Sequence, residues 1–198
     1  SVVVMAAVTP RARSDDNAPR MGDLTNGTAV GPAYLTVHPT CERNTLQELK
    51  SDLLWVIDNS GSMQEEQQAL VNAAGTLHGA LVDSGLDFRL GVITTDGEVL
   101  RGDGFTTDLL SFQSAVQVGI SGNGLEMGLD FALRGIEHAE AATDDNRRLR
   151  DDAGLVVIVF SDEDNTGLMS VPEYVSAFAD HDAVLYAIVG PRPFGCQL

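Results

Sequence analysis

Apolar residues along this chain follow several spacings, and each spacing predicts a different element. Residues 53–57 and 155–160 are continuous apolar runs, which are typical of strands buried on both faces of a sheet. Residues 88–94 and 183–189 predict two further strands. Two apolar stripes at helical spacing predict two helices, the first ending at Ser84-Gly85. The stripes are Leu70, Ala74, Leu77 and Leu81, and then Leu125, Leu129, Ala132, Leu133 and Ile136.

Turn and capping residues complete the pattern of elements. Ser170-Val171-Pro172-Glu173 is a capping box with proline in the first turn, and it predicts a helix through Phe178. A short strand is predicted at Glu98 to Leu100, after the Asp96-Gly97 turn. Strands and helices therefore alternate, which predicts an α/β fold with a mostly parallel central sheet and helices on both faces, of the Rossmann type.

The first quarter of the chain differs from the rest in composition and periodicity. Residues 1–48 are rich in turn-forming residues and weak in periodicity, so we interpret them as an irregular arm or linker. Residues 49–198 are interpreted as one α/β domain.

The excess of acidic residues makes some classes of binding partner unfavourable. The chain has 29 acidic and 12 basic residues and a net charge of -17. Such a surface repels nucleic-acid phosphates and anionic lipid heads, and it attracts cations and basic partners. Solubility alone explains the excess equally well. No apolar run reaches the roughly 20 residues that a membrane span needs.

The pairing state of the two cysteines would indicate the cellular compartment of the protein. Cys41 precedes the first strong strand and Cys196 follows the last one. A disulfide between them would place the protein in an oxidising compartment. Two free thiols, or a partner cysteine beyond Leu198, are equally open.

Hard-oxygen side chains follow the two most apolar strands. Asp58, Ser60 and Ser62 come at alternate positions after the first, and Asp162 follows residues 155–160 with one residue between them. Because ligands bind at the carboxyl ends of parallel strands, we expect these four residues to lie together at one edge of the sheet. Carboxylate and hydroxyl oxygens favour Mg²⁺, Mn²⁺ or Ca²⁺ over zinc.

The stretch "WVIDNSGSM" resembles the metal-ion-dependent adhesion site of von Willebrand factor type A domains, the fold of integrin inserted domains. The resemblance covers about residues 50–190. It implies that Asp58, Ser60, Ser62 and Asp162 hold Mg²⁺, or Mn²⁺ or Ca²⁺, and that the ion engages an acidic residue of a protein partner without catalysis. It also implies an extracellular or cell-surface location, as in a bacterial surface protein.

The resemblance has two departures from the family pattern. The family has a threonine ligand in the loop that corresponds to residues 118–128, and this loop offers Ser121, Asn123 and Glu126 instead. Asn123 and Glu126 are therefore further candidate ligands, and Glu126 would weaken the attraction of the ion for an external acid. The closing helix of the family is either missing or lies beyond Leu198.

Other interpretations of the same residues stay open. Ser62-Met63-Gln64-Glu65 is itself a capping box, which would make Ser62 a helix N-cap. A calcium loop of the EF-hand type, with Asp162, Asp164, Thr166 and Glu173 as ligands, overlaps the first site. That loop would give a structural calcium-binding domain without adhesion.

Two further classes of function compete with adhesion. One is a cytosolic scaffold resembling the corresponding subunits of metal-chelatase ATPase assemblies, and a disulfide would argue against it. The other is a phosphatase of the haloacid-dehalogenase type, in which Asp58 would be the nucleophile. Its acid-base aspartate two residues later is Ser60 here, so we expect no enzyme activity.

Overall fold

The two continuous apolar runs form the two central strands of the sheet. The computed structural model describes residues 49–122, 124 and 126–189. Within that part of the chain there is one sheet of four parallel strands, in the order β2-β1-β3-β4. The predicted α/β fold with a parallel sheet is confirmed. The strands are β1 (Lys50–Ile57), β2 (Asp87–Thr94), β3 (Gly154–Ser161) and β4 (Ala183–Val189).

Helices pack on both faces of the sheet. A 3₁₀ turn (Gly61–Gln64) leads into α1 (Glu66–Ser84), which with α2 (Leu109–Val116) covers one face. The helices α3 (Gly128–Glu140) and α4 (Val171–Asp180) cover the other face. Helix α1 ends at Gly85, whose φ of 70° is the left-handed conformation that glycine adopts without a Cβ penalty. None of the helices among these residues is long and apolar enough to cross a membrane.

Two parts of the 95–120 region differ from the predicted pattern. Glu98 to Leu100 do not form a strand, because the chain next to β2 pairs through the Arg101 amide, which donates to the Val92 carbonyl at 2.8 Å, and through a bridge between Leu90 and Thr106. Helix α2 was not predicted, since eight residues are too few for a clear helical period.

A buried carboxylate holds the amino-terminal edge of the sheet together. Asp52 on β1 is 1% exposed and accepts four hydrogen bonds. Arg89 donates two of them at 2.7 and 3.0 Å, and Arg150 donates the other two at 2.8 and 2.9 Å. Arg89 also donates to the carbonyls of Asp145 and Arg148, both at 2.8 Å. The ion pairs therefore fasten the loop before β3 to β1 and β2.

We expect Asp52→Asn to lower the free energy of unfolding by about 3–5 kcal/mol, because it leaves the largely buried Arg89 guanidinium without a counter-charge and leaves Arg150 with only its ion pair to Asp87. Urea denaturation measures the change. The matched control is Asp151→Asn, since the Asp151 side chain is 83% exposed and its ion pair with Arg148 should contribute no more than about 1 kcal/mol. Equal losses in the two variants would contradict this account of the edge.

Candidate metal centre

Asp58 and Asp162 meet at the carboxyl-terminal edge of the sheet. Asp58 directly follows β1 and Asp162 directly follows β3, and these strands are neighbours with Ile57 paired to Phe160. The Asp58 amide continues that pairing and donates to the Phe160 carbonyl at 2.9 Å. The Ser161 hydroxyl, which precedes Asp162, donates to Asp58 Oδ2 at 2.7 Å. Parallel pairing thus brings together two acids that lie 104 positions apart.

A chain of hydrogen bonds joins all four predicted ligands. The Ser60 amide donates to Asp58 Oδ1 at 2.8 Å. The hydroxyls of Ser60 and Ser62 lie 2.8 Å apart, and the Ser62 hydroxyl donates to Asp162 Oδ1 at 3.1 Å. Asp58 and Ser60 are buried, whereas Ser62 is exposed and Asp162 is half-buried. Asp58 and Ser60 are therefore shielded from solvent, whereas Ser62 and Asp162 face it.

The capping role predicted for Ser62 is wrong. Ser62 lies inside the 3₁₀ turn, and α1 begins four residues later at Glu66. The N-cap position of α1 is occupied by Glu65, which makes no side-chain capping bond. Because the Ser62 hydroxyl is not used in a cap, it is directed to Ser60 and Asp162 instead.

Glu126 lies in the interior beside the predicted group, while Asn123 lies outside the described residues. The Glu126 side chain is 1% exposed, and neither carboxylate oxygen has hydrogen-bond geometry with a described group. Its backbone is held firmly, since the Glu126 carbonyl accepts from the Thr166 amide at 2.6 Å and from the Thr166 hydroxyl at 2.9 Å. A buried carboxylate without a partner is rare in proteins and needs an explanation.

Two residues that the sequence analysis did not single out join the site. Thr95 directly follows β2, is fully buried and has a hydroxyl without a hydrogen-bond partner among the described residues. Ser161, the last residue of β3, bonds Asp58 as described above. Both stand at the carboxyl ends of strands that neighbour β1. That position is the signal that could have identified them from the sequence.

Burial dominates the electrostatics of Glu126. It raises the pKa of the Glu126 carboxyl to about 7, and the nearby negative charge of Asp58 acts in the same direction. The Thr95 hydroxyl lies close enough to lower the Glu126 pKa in part. Two buried carboxylates at such close range cannot both stay ionised unless a cation or a proton lies between them.

A small cavity adjoins Glu126. It has a volume of about 110 Å³, and its polar lining residues are Thr95, Glu126, Ser161, Glu163 and Asn165. A space of this size holds an ion or a few waters. The buried carboxylate and the buried hydroxyl therefore border a space that a cation could enter.

The donor set fits a hard cation only if hydroxyls take part. Among residues 49–122, 124 and 126–189, no three side chains of His, Cys, Asp or Glu lie close enough together to hold a metal ion. An ion at this edge would thus have to combine carboxylates with serine or threonine hydroxyls, which is a set that suits Mg²⁺, Mn²⁺ or Ca²⁺. The unpartnered oxygens of Glu126 and Thr95 agree with such a set.

The residues of the alternative calcium loop point to other contacts. The Thr166 hydroxyl donates to the Glu126 carbonyl, as noted above. Glu173 accepts from the Ser170 amide at 2.6 Å and from the Ser170 hydroxyl at 2.7 Å, in the predicted capping box of α4. Asp164 is exposed. Two of the four ligands proposed for that loop are therefore engaged elsewhere in this conformation.

Comparison with known proteins finds structural similarity at low sequence identity. No family model matches the chain, and no curated protein sequence matches it. The structure is similar to the crystal structure of the vWF domain of the type V pili tip protein Mfa5 from Porphyromonas gingivalis, with 16% sequence identity and a TM-score of 0.41. The similarity covers 60% of this chain and 39% of that chain. A similarity at this level assigns no function to this chain.

Replacing Glu126 by Gln should change how stability depends on pH in the presence of a chelator. The folded-state pKa is raised from 4.5 to about 7, so unfolding releases a proton between these values and the free energy of unfolding falls as pH rises through them. Gln cannot ionise, and Glu126→Gln should therefore be more stable than the wild type at pH 8, by roughly 1–3 kcal/mol, with little difference at pH 4.5.

Chemical denaturation at the two pH values measures this effect. The control is Glu65→Gln, which removes an exposed carboxylate near the same edge that makes no side-chain capping bond and should leave the pH dependence as it is. Equal stability of Glu126→Gln and wild type at pH 8 would show that Glu126 is not an isolated buried acid.

Proposed function

We propose that this domain binds a divalent cation, Mg²⁺, Mn²⁺ or Ca²⁺, and recognises a protein partner through it. Asp58, Ser60, Ser62 and Asp162 would hold the ion, and the partner would present an acidic side chain. The function is adhesion-type recognition without catalysis. We place it on or outside a cell, as expected of a bacterial surface protein.

One observation carries the proposal of a cation. Asp58 and Glu126 are both buried, they influence each other electrostatically, and Glu126 has no hydrogen-bond partner for either oxygen among the described residues. An ionised carboxylate without a partner costs several kcal/mol in a protein interior. A divalent cation would remove that cost, and the hydroxyls beside it are the neutral ligands that such ions accept.

The buried and the exposed residues at the carboxyl-terminal edge of the sheet would have different roles in holding the ion. Asp58 is held by the Ser60 amide and the Ser161 hydroxyl, so its carboxylate is fixed in orientation before any ion arrives. Ser62 and Asp162 lie on the solvent side. When bound, the ion would supply the positive charge that attracts a carboxylate from another molecule. The protein groups would orient the ion and leave its outer side accessible.

Because the chain is strongly negative, binding of an acidic partner would require the cation. At -17 the chain repels carboxylates over long range. Only a local positive charge at the edge could reverse that repulsion. Removal of the ion should therefore abolish recognition of an acidic partner rather than merely weaken it.

A structural ion without adhesion is the second candidate function, and the burial of Asp58 and Glu126 favours it. In that case the ion would stabilise the edge of the sheet and would make no contact with a partner. Metal binding would then persist while partner binding stayed independent of the metal.

Asp58→Asn should abolish divalent-cation binding, because the amide removes the charge of the best-buried candidate ligand while its size is kept. Isothermal calorimetry with MgCl₂, MnCl₂ and CaCl₂ measures uptake, and circular dichroism checks the fold. The comparison variant is Asp164→Asn, which lies two residues after Asp162 and belongs only to the alternative calcium loop. Loss of uptake in Asp164→Asn but not in Asp58→Asn would replace the proposed site by that loop.

Selection from a random peptide library displayed on phage tests recognition of acids. In the presence of the divalent cation, the wild-type domain should enrich peptides that contain Asp or Glu, and the enrichment should disappear in chelator. Asp162→Asn should reduce the enrichment at least tenfold if the outer ligand holds the ion. Enrichment that is indifferent to chelator would leave only the structural ion.

A further inference from the structure

Three polar atoms close to Asp58 make no well-formed hydrogen bond with the described part of the chain, although the Glu126 carboxyl lies near the Thr95 hydroxyl and the Asp58 carboxylate. They are the two carboxylate oxygens of Glu126 and the hydroxyl oxygen of Thr95. The Glu126 side chain is 1% exposed and the Thr95 side chain 0% exposed. Both residues line the cavity of about 110 Å³ described above. These groups lie deeper than Ser62 and Asp162, so the outer chain of hydrogen bonds does not satisfy them.

A purely structural role does not account for these atoms. A buried hydroxyl or carboxyl without a hydrogen bond costs about 1–3 kcal/mol, and more when it is charged. Valine at position 95 and glutamine at position 126 would occupy nearly the same volumes without an unpartnered hydroxyl or a charge. The oxygens are explained if a group that binds oxygen enters the adjoining space.

We propose that Glu126 and Thr95 are ligands of the cation at Asp58, and that Glu126 makes this centre prefer Ca²⁺ to Mg²⁺. This inference rests on the proposed function, because it assigns the inner side of the same cation site. Glu126 then fills the role for which the sequence offered no threonine. Thr95 is a ligand contributed by a third strand end, that of β2.

The number and charge of the ligand oxygens determine the preference of the site for Ca²⁺ over Mg²⁺. Ca²⁺ takes six to eight oxygen ligands and accepts carboxylates in one- or two-oxygen contacts. Mg²⁺ requires a near-ideal octahedron, keeps several waters and is usually held by one or two carboxylates. Asp58 and Glu126 offer up to four carboxylate oxygens, and the hydroxyls of Thr95 and Ser161 raise the number to six. Thr95 and Asp58 lie beside Glu126, and the Ser161 hydroxyl bonds Asp58 and lines the same cavity. A set so rich in protein oxygens suits the larger ion.

The backbone around Glu126 is held in place before any ion binds. Its carbonyl accepts two hydrogen bonds from Thr166, at 2.6 and 2.9 Å. The carboxylate therefore projects from a backbone that is fixed to the loop after β3, and little conformational entropy would be lost when it binds an ion. A ligand that is positioned in this way contributes most of its binding energy to affinity.

Calorimetric titration of CaCl₂ and MgCl₂ into four proteins tests the inference. Wild type should bind Ca²⁺ at least tenfold more tightly than Mg²⁺. Glu126→Gln should lose at least tenfold in Ca²⁺ affinity and much less in Mg²⁺ affinity, so that the preference disappears. Thr95→Val, which keeps the side-chain shape, should lose Ca²⁺ affinity severalfold. Glu65→Gln removes an exposed charge near the same edge and should stay within threefold of wild type.

The outcomes separate this inference from the proposed function. If wild type binds neither ion, the proposed function and this inference both fail. If wild type binds an ion and Glu126→Gln binds it equally well, only the inference is overturned and the outer ligands suffice. If Glu126→Gln and Glu65→Gln weaken binding equally, the effect is the general field of negative charge and Glu126 is no ligand. Folding of Glu126→Gln and Thr95→Val is checked by circular dichroism in the same buffer.

Discussion

The parallel pairing of β1 with β3 is the constraint on which the rest of the structure depends. Both strands are continuous apolar runs that only a two-sided core can bury, and so they must lie in the middle of the sheet. Their register places Ile57 opposite Phe160. The residues that follow, Asp58 and Asp162, are thereby forced to one edge although they are far apart in the sequence. The chemistry of that edge is a consequence of how the core is buried.

The two edges of the sheet differ in how a buried carboxylate is hydrogen-bonded. At the amino-terminal edge, Asp52 is 1% exposed and accepts four hydrogen bonds from two arginines. At the carboxyl-terminal edge, Glu126 is equally buried and has no hydrogen-bond partner among the described residues. The first arrangement is complete and serves stability. The second needs a cation or a proton to complete it, and this contrast between Asp52 and Glu126 is the observation behind the proposed cation site.

The sequence predicted the frame of the fold and the outer part of the candidate site. Long apolar runs and a capping box are local signals, and so β1, β3, α4 and the shared position of Asp58 and Asp162 could be found without coordinates. The burial of Glu126 and Thr95 could not, because it depends on how α3 and the end of β2 pack against the sheet. The alternative in which Ser62 caps a helix is wrong because the Ser62 hydroxyl bonds the neighbouring Ser60 hydroxyl and, through a tertiary contact, Asp162.

The central claim is that one cation joins the ends of β1 and β3. Diffraction from crystals soaked in MnCl₂, with anomalous scattering recorded from the manganese, tests it most directly. The account predicts a single strong peak within about 2.6 Å of an oxygen of Asp58, with hydroxyl oxygens of the same edge around it. A peak at a site remote from Asp58, or no peak in crystals that keep this fold, would contradict it.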